Sequence, residues 1–207
     1  MKRIFGILTI LVFSVALMSF SGTKKHSDVY SVDVSKSKLE WLGKKVTGQH
    51  NGIILLKSGT LSDNHGRMSG SFDVDMNSIE VLDLEGKMKE KLTNHLKSDD
   101  FFGVSSFPSA NFIVKAIEPA TENNRVLIRG ELTIKGKTNP LDFEAALTRI
   151  DNVLSFSGVA IIDRSKYDVK YGSTSFFGDL GDKAIYDNFE VRFTIVASKT
   201  TSHPNKH

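Results

Sequence analysis

The stretch Met68-Ser69-Gly70-Ser71-Phe72-Asp73-Val74-Asp75-Met76-Asn77 decides the fold. Met68, Gly70, Phe72, Val74 and Met76 fall on one side of an extended chain, and Ser69, Ser71, Asp73, Asp75 and Asn77 fall on the other. Successive side chains of a strand point to opposite faces, so this alternation marks a strand with one buried and one solvated face. The pattern returns on the C-terminal side. Ala110, Phe112, Val114 and Ala116 alternate with Asn111, Ile113 and Lys115, and Val126, Ile128, Gly130, Leu132 and Ile134 alternate with Arg129, Glu131, Thr133 and Lys135. Leu141, Phe143, Ala145 and Leu147 oppose Asp142, Glu144 and Thr148, while Phe189, Val191, Phe193 and Ile195 oppose Glu190, Arg192 and Thr194. Leu154 to Ile162 fits between them.

Turn signals at Asp63-Asn64-His65-Gly66, Glu122-Asn123-Asn124, Lys135-Gly136-Lys137 and Asp151-Asn152 punctuate these runs. Links this short make successive strands antiparallel neighbours. One segment has a different period. Leu84, Met88, Leu92 and Leu96 recur every four residues, with lysines between them and Asp83 ahead as the expected N-cap. That predicts an amphipathic helix of about three turns.

About eight strands and one inserted helix leave a closed barrel or a sandwich, and closure removes the exposed edges. An eight-stranded barrel is just wide enough to be filled by side chains or to hold one slim ligand. Gly70, Ala110, Ala116, Gly130, Ala145, Gly158 and Ala160 put little bulk inside, whereas Phe72, Phe112, Phe143 and Phe193 put much. Alternation leaves a filled and a hollow interior equally open.

With 207 residues, 40% hydrophobic and 25% charged, the chain has the length and composition of one globular domain. Lys2 and Arg3, the apolar run Ile4 to Phe20 and the small residues Ser19, Ser21 and Gly22 have the order of a secretory signal, expected over residues 1–21. The alternative is an uncleaved anchor. A short linker over 22–28, a barrel over 29–198 and a flexible tail over 199–207 follow. The sequence contains no cysteine, so the signal is not of the lipoprotein kind and the exported domain stands without disulfides. Removing Lys2 and Arg3 from the 27 basic residues leaves 25 against 24 acidic ones, interleaved throughout. Such a balance argues against nucleic acid.

The six histidines form no zinc motif, no Gly-x-Ser-x-Gly is present and phosphate loops are absent, so neither metal nor catalytic residues are assigned. The paired acids Asp73 with Asp75 and Asp99 with Asp100 read as solvated faces. Two aromatic pairs in loops, Phe101-Phe102 and Phe176-Phe177, either plug a barrel end or line a ligand mouth.

From Tyr30 to Ala197 the chain resembles the YceI-like family of bacterial lipid-binding barrel proteins. The resemblance rests on His95-Leu96-Lys97-Ser98-Asp99-Asp100-Phe101-Phe102 followed by Phe107-Pro108-Ser109-Ala110-Asn111-Phe112, on Gly130-Glu131-Leu132-Thr133-Ile134-Lys135-Gly136-Lys137-Thr138, and on Ile162-Asp163-Arg164-Ser165-Lys166-Tyr167. Many members carry a histidine-serine pair near the start. This chain has Lys36-Ser37 there, with His50 standing further on, so a headgroup role for that first histidine has no counterpart.

The resemblance implies an extended, lipocalin-like antiparallel barrel whose pore holds a polyisoprenoid, such as a quinone tail or an isoprenoid phosphate. It brings no catalytic residues. Strand phase then selects Phe72, Val74, Phe112, Val114, Leu132, Ile134, Phe143 and Phe193 as lining, with His50, Asp163, Arg164 and Tyr167 at the mouth. Arg164 serves equally well as a structural partner of Asp99 or Asp100. The expected protein is a periplasmic or secreted carrier without a cofactor of its own. It touches the membrane only transiently to exchange lipid, and the reading leaves room for a homodimer. Rival readings are a dry-cored stress or adhesion module acting through Phe101, Phe102, Phe176 and Phe177, and a barrel isomerase or cyclase.

Overall fold

The structure, a computed structural model, describes residues 27–200 apart from Asn123. The expected signal therefore lies outside the described residues, as do most of the linker and tail. Nine strands and one α-helix follow in order: β1 (Asp28–Val32), β2 (Lys38–Lys45), β3 (Gly48–Asn64), β4 (Arg67–Val81), α1 (Gly86–Lys97), β5 (Ser109–Pro119), β6 (Arg125–Ile134), β7 (Lys137–Ile150), β8 (Val153–Asp163) and β9 (Ile185–Lys199). A short 3-10 helix, Arg164–Tyr167, follows β8. The strand boundaries exceed the expected 29–198 by one residue at each end. Asp28 and Lys199 are joined by an ion pair of 2.7 Å.

Every pairing is antiparallel, and the sheet closes on itself because β3 pairs with both β2 and β4 while β2 also pairs with β9. Nine strands make eight staves. Both β1 and β2 lie between β3 and β9, β1 facing Leu61 and Ser198 and β2 facing Ile54 and Phe193. They are two halves of one stave, broken at residues 33–37.

The break is stitched locally. The Asp33 carboxylate accepts the Ser35 hydroxyl at 2.6 Å and pairs with Lys36 Nζ at 2.8 Å. Hydrogen bonds from Lys36 and Ser35 hold its pKa down at about 2. The Ser37 hydroxyl donates to the Asp33 carbonyl and accepts the Val196 N–H, tying the break to β9.

Strands β1 to β3 were not individually visible in the sequence. In β3 the register against β4 slips between Ile53 and Leu55 and again between Leu56 and Ser58. At the first slip residues 76–79 of β4 stand opposite Ile54 alone, and at the second an extra residue on β3 shifts its phase by one and scrambles the period-two signal. A bulge also corrects the reading of β5. The register slips between Val114 and Ala116, so Ile117 rather than Ala116 faces inward.

Helix α1 buries Leu96 and half-buries Leu92 against the upper core, Met88 is exposed, and Leu84, expected on the helix, is half-buried just ahead of it. Asp83 is not its N-cap. Glu85 occupies that position without a side-chain bond, and the Asp83 carboxylate instead binds the His50 ring and the Asn51 N–H.

Two hydrophobic clusters stack along the barrel axis. The lower one joins Tyr30, Val32, Leu61, Met68, Leu154, Phe156 and Ala197. The upper one joins Met76, Val81, Leu96, Phe101, Val104, Tyr167 and Val169 beneath the helix and its exit loop. Leu61 and Leu154 are almost completely buried, and burial on that scale contributes roughly 1.5–3 kcal/mol per side chain.

Candidate binding cavity

Between the two clusters the barrel is hollow. A cavity of about 230 Å³ runs from Leu61, Phe156 and Ile195 below to Leu96, Phe101 and Phe189 above. Several inward residues of the middle strands, among them Leu39, Leu56, Phe72, Phe112, Leu141 and Phe143, pack against the core yet remain only partly buried, because one side of each borders empty space. Apolar cavities larger than about 150 Å³ can stay free of water and accept apolar guests.

The hollow survives the large side chains because their rings lie against the wall. A Cβ on Gly158 would stand 2.9 Å from the Phe193 ring, and one on Gly130 would stand 2.4 Å from the Phe112 ring. Gly59 and Gly52 are covered in the same way by Phe72 and Trp41. In three cases ring and glycine are cross-strand partners: Trp41 with Gly52, Phe72 with Gly59, and Phe193 with Gly158. Each glycine makes a slot that takes a neighbour's ring out of the lumen. Phe143 bridges Phe112 and Phe193 at ring separations of 5.4 and 5.3 Å, a range favourable for aromatic pairs.

All eight residues selected by strand phase, Phe72, Val74, Phe112, Val114, Leu132, Ile134, Phe143 and Phe193, line this cavity. The four selected for the mouth do not come together. His50 is cross-strand from Gly43, but its Nδ1 lies 2.9 Å from Asp83 and its ring is not part of the lining. Partial burial works against the Asp83 carboxylate, yet hydrogen bonds from His50 and Asn51 hold its pKa below the usual value. Asp163 caps the 3-10 helix, accepting the Ser165 N–H and hydroxyl. Tyr167 is buried in the upper cluster, where desolvation pushes its pKa up to about 12.

Only Arg164 lines the cavity, and its polar atoms are engaged elsewhere. Nε donates to the Tyr186 carbonyl, Nη1 to those of Val169 and Tyr171, and Nη2 to that of Ile185. The remaining N–H lies near Asp187, whose carboxylate at 3.4 Å makes an ion pair rather than a hydrogen bond. Five donors are thereby accounted for. Its partners are thus neither Asp99 nor Asp100. Arg164 fastens the loop over 168–186 to the end of β8, with its guanidinium 5.5 Å from the Phe101 ring centre. Desolvation lowers its pKa, opposed by Asp187 and Asp163.

The two aromatic pairs divide. Phe101 and Phe102 both plug the upper end and line the cavity, while Phe176 and Phe177 stay 42% and 48% exposed. Sequence reasoning missed Trp41, Ile54 and Leu39: irregular register hides the phase of Ile54 on β3, while Leu39 and Trp41 lie on the short β2, whose alternation is regular but brief. The Trp41 Nε1–H donates to the Ile53 carbonyl, so this lining residue presents no free donor. Among the described residues, no three His, Asp or Glu side chains converge as a metal site.

Comparison with known proteins places these features in context. A model of the YceI-like domain matches residues 30–197. The crystal structure of Burkholderia cenocepacia BcnA superposes with a TM-score of 0.64 at 25% identity, covering 81% of this chain and 99% of that one. A polyisoprenoid binding domain from Saccharophagus degradans, implicated in plant cell wall breakdown, superposes with a TM-score of 0.60 over 83% of this chain and 98% of that one. At 14% identity it shares the fold. The UPF0312 protein SAR2769 of Staphylococcus aureus (strain MRSA252) is 38% identical over 92 residues, 41% of this chain. The chain thus spans about half the length of the curated relatives it matches, 50% in that case.

Proposed function

The chain belongs to the YceI-like family, and on that premise we propose that it is a non-catalytic carrier that sequesters a long isoprenoid lipid inside the barrel. One observation carries the reading: the lining is apolar but for three side chains, of which the Arg164 guanidinium is held by backbone carbonyls and Asp187, the Trp41 N–H by the Ile53 carbonyl, and Tyr186 stands half-exposed at the rim. Such a wall offers hydrocarbon everything and a polar guest nothing. Burying a few hundred Å² of apolar ligand surface supplies several kcal/mol at about 25 cal/mol per Å². A similar domain is named for polyisoprenoid binding, which supports an isoprenoid tail.

Our reading places the protein outside the cytoplasm, exported by its N-terminal segment, and in contact with membranes only while exchanging lipid. Native mass spectrometry of protein purified from its own source, with lipid analysis of an organic extract, tests this. A stoichiometric isoprenoid is the expected result. An empty barrel that also refuses added quinones overturns it.

A further inference from the structure

A long chain must reach the hollow, and most of its boundary is closed. Below, Leu61, Leu154 and Ala197 are at most 1% exposed. Above, Val104, Tyr167 and Val169 are at most 3% exposed beneath the helix exit and the loop that Arg164 fastens. The sheet itself parts where β7 and β8 cease to pair beyond Ala145 and Gly158. That seam is backed by Ala160 and Ile162, 5% and 6% exposed, and is bridged at its top by Asn139 Nδ2 donating to the Lys166 carbonyl.

The β2–β9 wall is different. Its register holds from Lys38 with Thr194 to Gly43 with Phe189, then jumps to Lys45 with Ile185, leaving β9 residues 186–188 unpaired against β2. Gly43 lines the cavity at this point, and a Cβ built on it meets no atom within 4 Å. Its backbone is not in the left-handed region, so the glycine is not required by conformation. Tyr186, in the unpaired stretch, also borders the cavity and is 53% exposed. Elsewhere an inward glycine is filled by a neighbour's side chain, a ring at Gly52, Gly59, Gly130 and Gly158 and Leu61 at Gly70. Here the slot is empty and lies beside a gap in the ladder.

We infer that the gap between β2 and β9, with Gly43 on one lip and Tyr186 on the other, is the doorway through which the lipid chain enters and leaves the barrel sideways. This rests on the carrier reading above. A ladder intact at this level would need backbone hydrogen bonds to break for each passage. The slipped register leaves residues 186–188 without such bonds to β2, next to the last regular pair, Gly43 with Phe189. Loss of the empty slot narrows the doorway without touching the lining deeper in.

The test uses the full chain and a benzoquinone bearing an isoprenoid tail, a long apolar probe of the class the carrier reading names. Trp41, the single tryptophan, lines the cavity and reports quinone arrival by quenching. Gly43→Phe should slow both uptake and release at least tenfold. Because Gly43→Phe could disturb folding, a second variant is modified after folding. Tyr186→Cys, in a chain without native cysteine, is alkylated with a bulky maleimide, with Met88→Cys on the helix as the labelled control. Slow exchange in blocked Tyr186→Cys alone establishes the doorway. Wild-type rates in blocked Tyr186→Cys overturn it and leave the carrier reading standing, whereas a wild-type protein that never quenches with the quinone overturns both.

Discussion

The Phe193 ring lies over Gly158 on the adjacent strand, with its Cζ 2.9 Å from where a Cβ would stand. This one relationship explains how a barrel with inward-facing phenylalanines stays hollow. The glycine takes the volume of the ring, and the lumen keeps its own.

Gly158→Ala should therefore fold with a displaced ring. The new methyl also meets the Glu144 carbonyl at 2.7 Å, so overpacking of about 1–3 kcal/mol is expected in urea titration. Uptake should fall as the Phe193 ring turns inward. Full stability and full uptake together would remove the ring-slot account.

Phe112→Arg should abolish lipid uptake. It places a charge in a wall that has no partner for one, and such burial is expensive unless the charge is paired. Lys115→Glu, on the outer face of the same strand, exchanges an exposed pair with Glu131 for an exposed, solvent-screened repulsion and should bind normally within about 1 kcal/mol of wild-type stability. Quench titration on variants with native circular dichroism decides this.

Arg164→Met should leave the carbonyls of Val169, Tyr171, Ile185 and Tyr186 without their donor. A cost of about 3 kcal/mol or more follows from unsatisfied buried groups. Limited proteolysis should cut within 168–186 faster than in wild type. Arg164→Lys should not rescue, because an ammonium lacks the planar fork. A Lys variant as resistant as wild type would show that the charge alone suffices.

Asp33→Asn should flatten part of the acid unfolding curve. The folded carboxyl, held by Lys36 and Ser35, titrates at about 2 instead of the ordinary 3.8. Its contribution is complete above about 3.8 and disappears as pH falls through about 2, so stability declines with acid in that window. Thermal unfolding between pH 4 and 2 checks it, and equal slopes for both proteins would assign the decline to other groups.

His50→Ala should leave uptake unchanged, because the ring turns to Asp83 rather than to the cavity. Quench amplitude and rate at neutral pH are the measurement, and a tenfold loss would return His50 to the binding site.

What the sequence determined is the set of faces. Side chains of a strand alternate by covalent geometry, so reading every second residue along β4 to β7 and β9 found the inner wall, and all eight residues selected in this way line the cavity. What it did not determine is everything that depends on one strand meeting another. The bulges of β3 and β5 hid Ile54 and Ile117 from the phase, since a bulge answers to the partner strand's register rather than to its own residues. Arg164 carries the same donors in any chain. Only the folded loop brings four carbonyls around it and turns an expected headgroup contact into a structural clasp. Whether the interior is hollow was decided last of all, because glycine and phenylalanine look alike to an alternation pattern while their cross-strand pairing sets the volume between them.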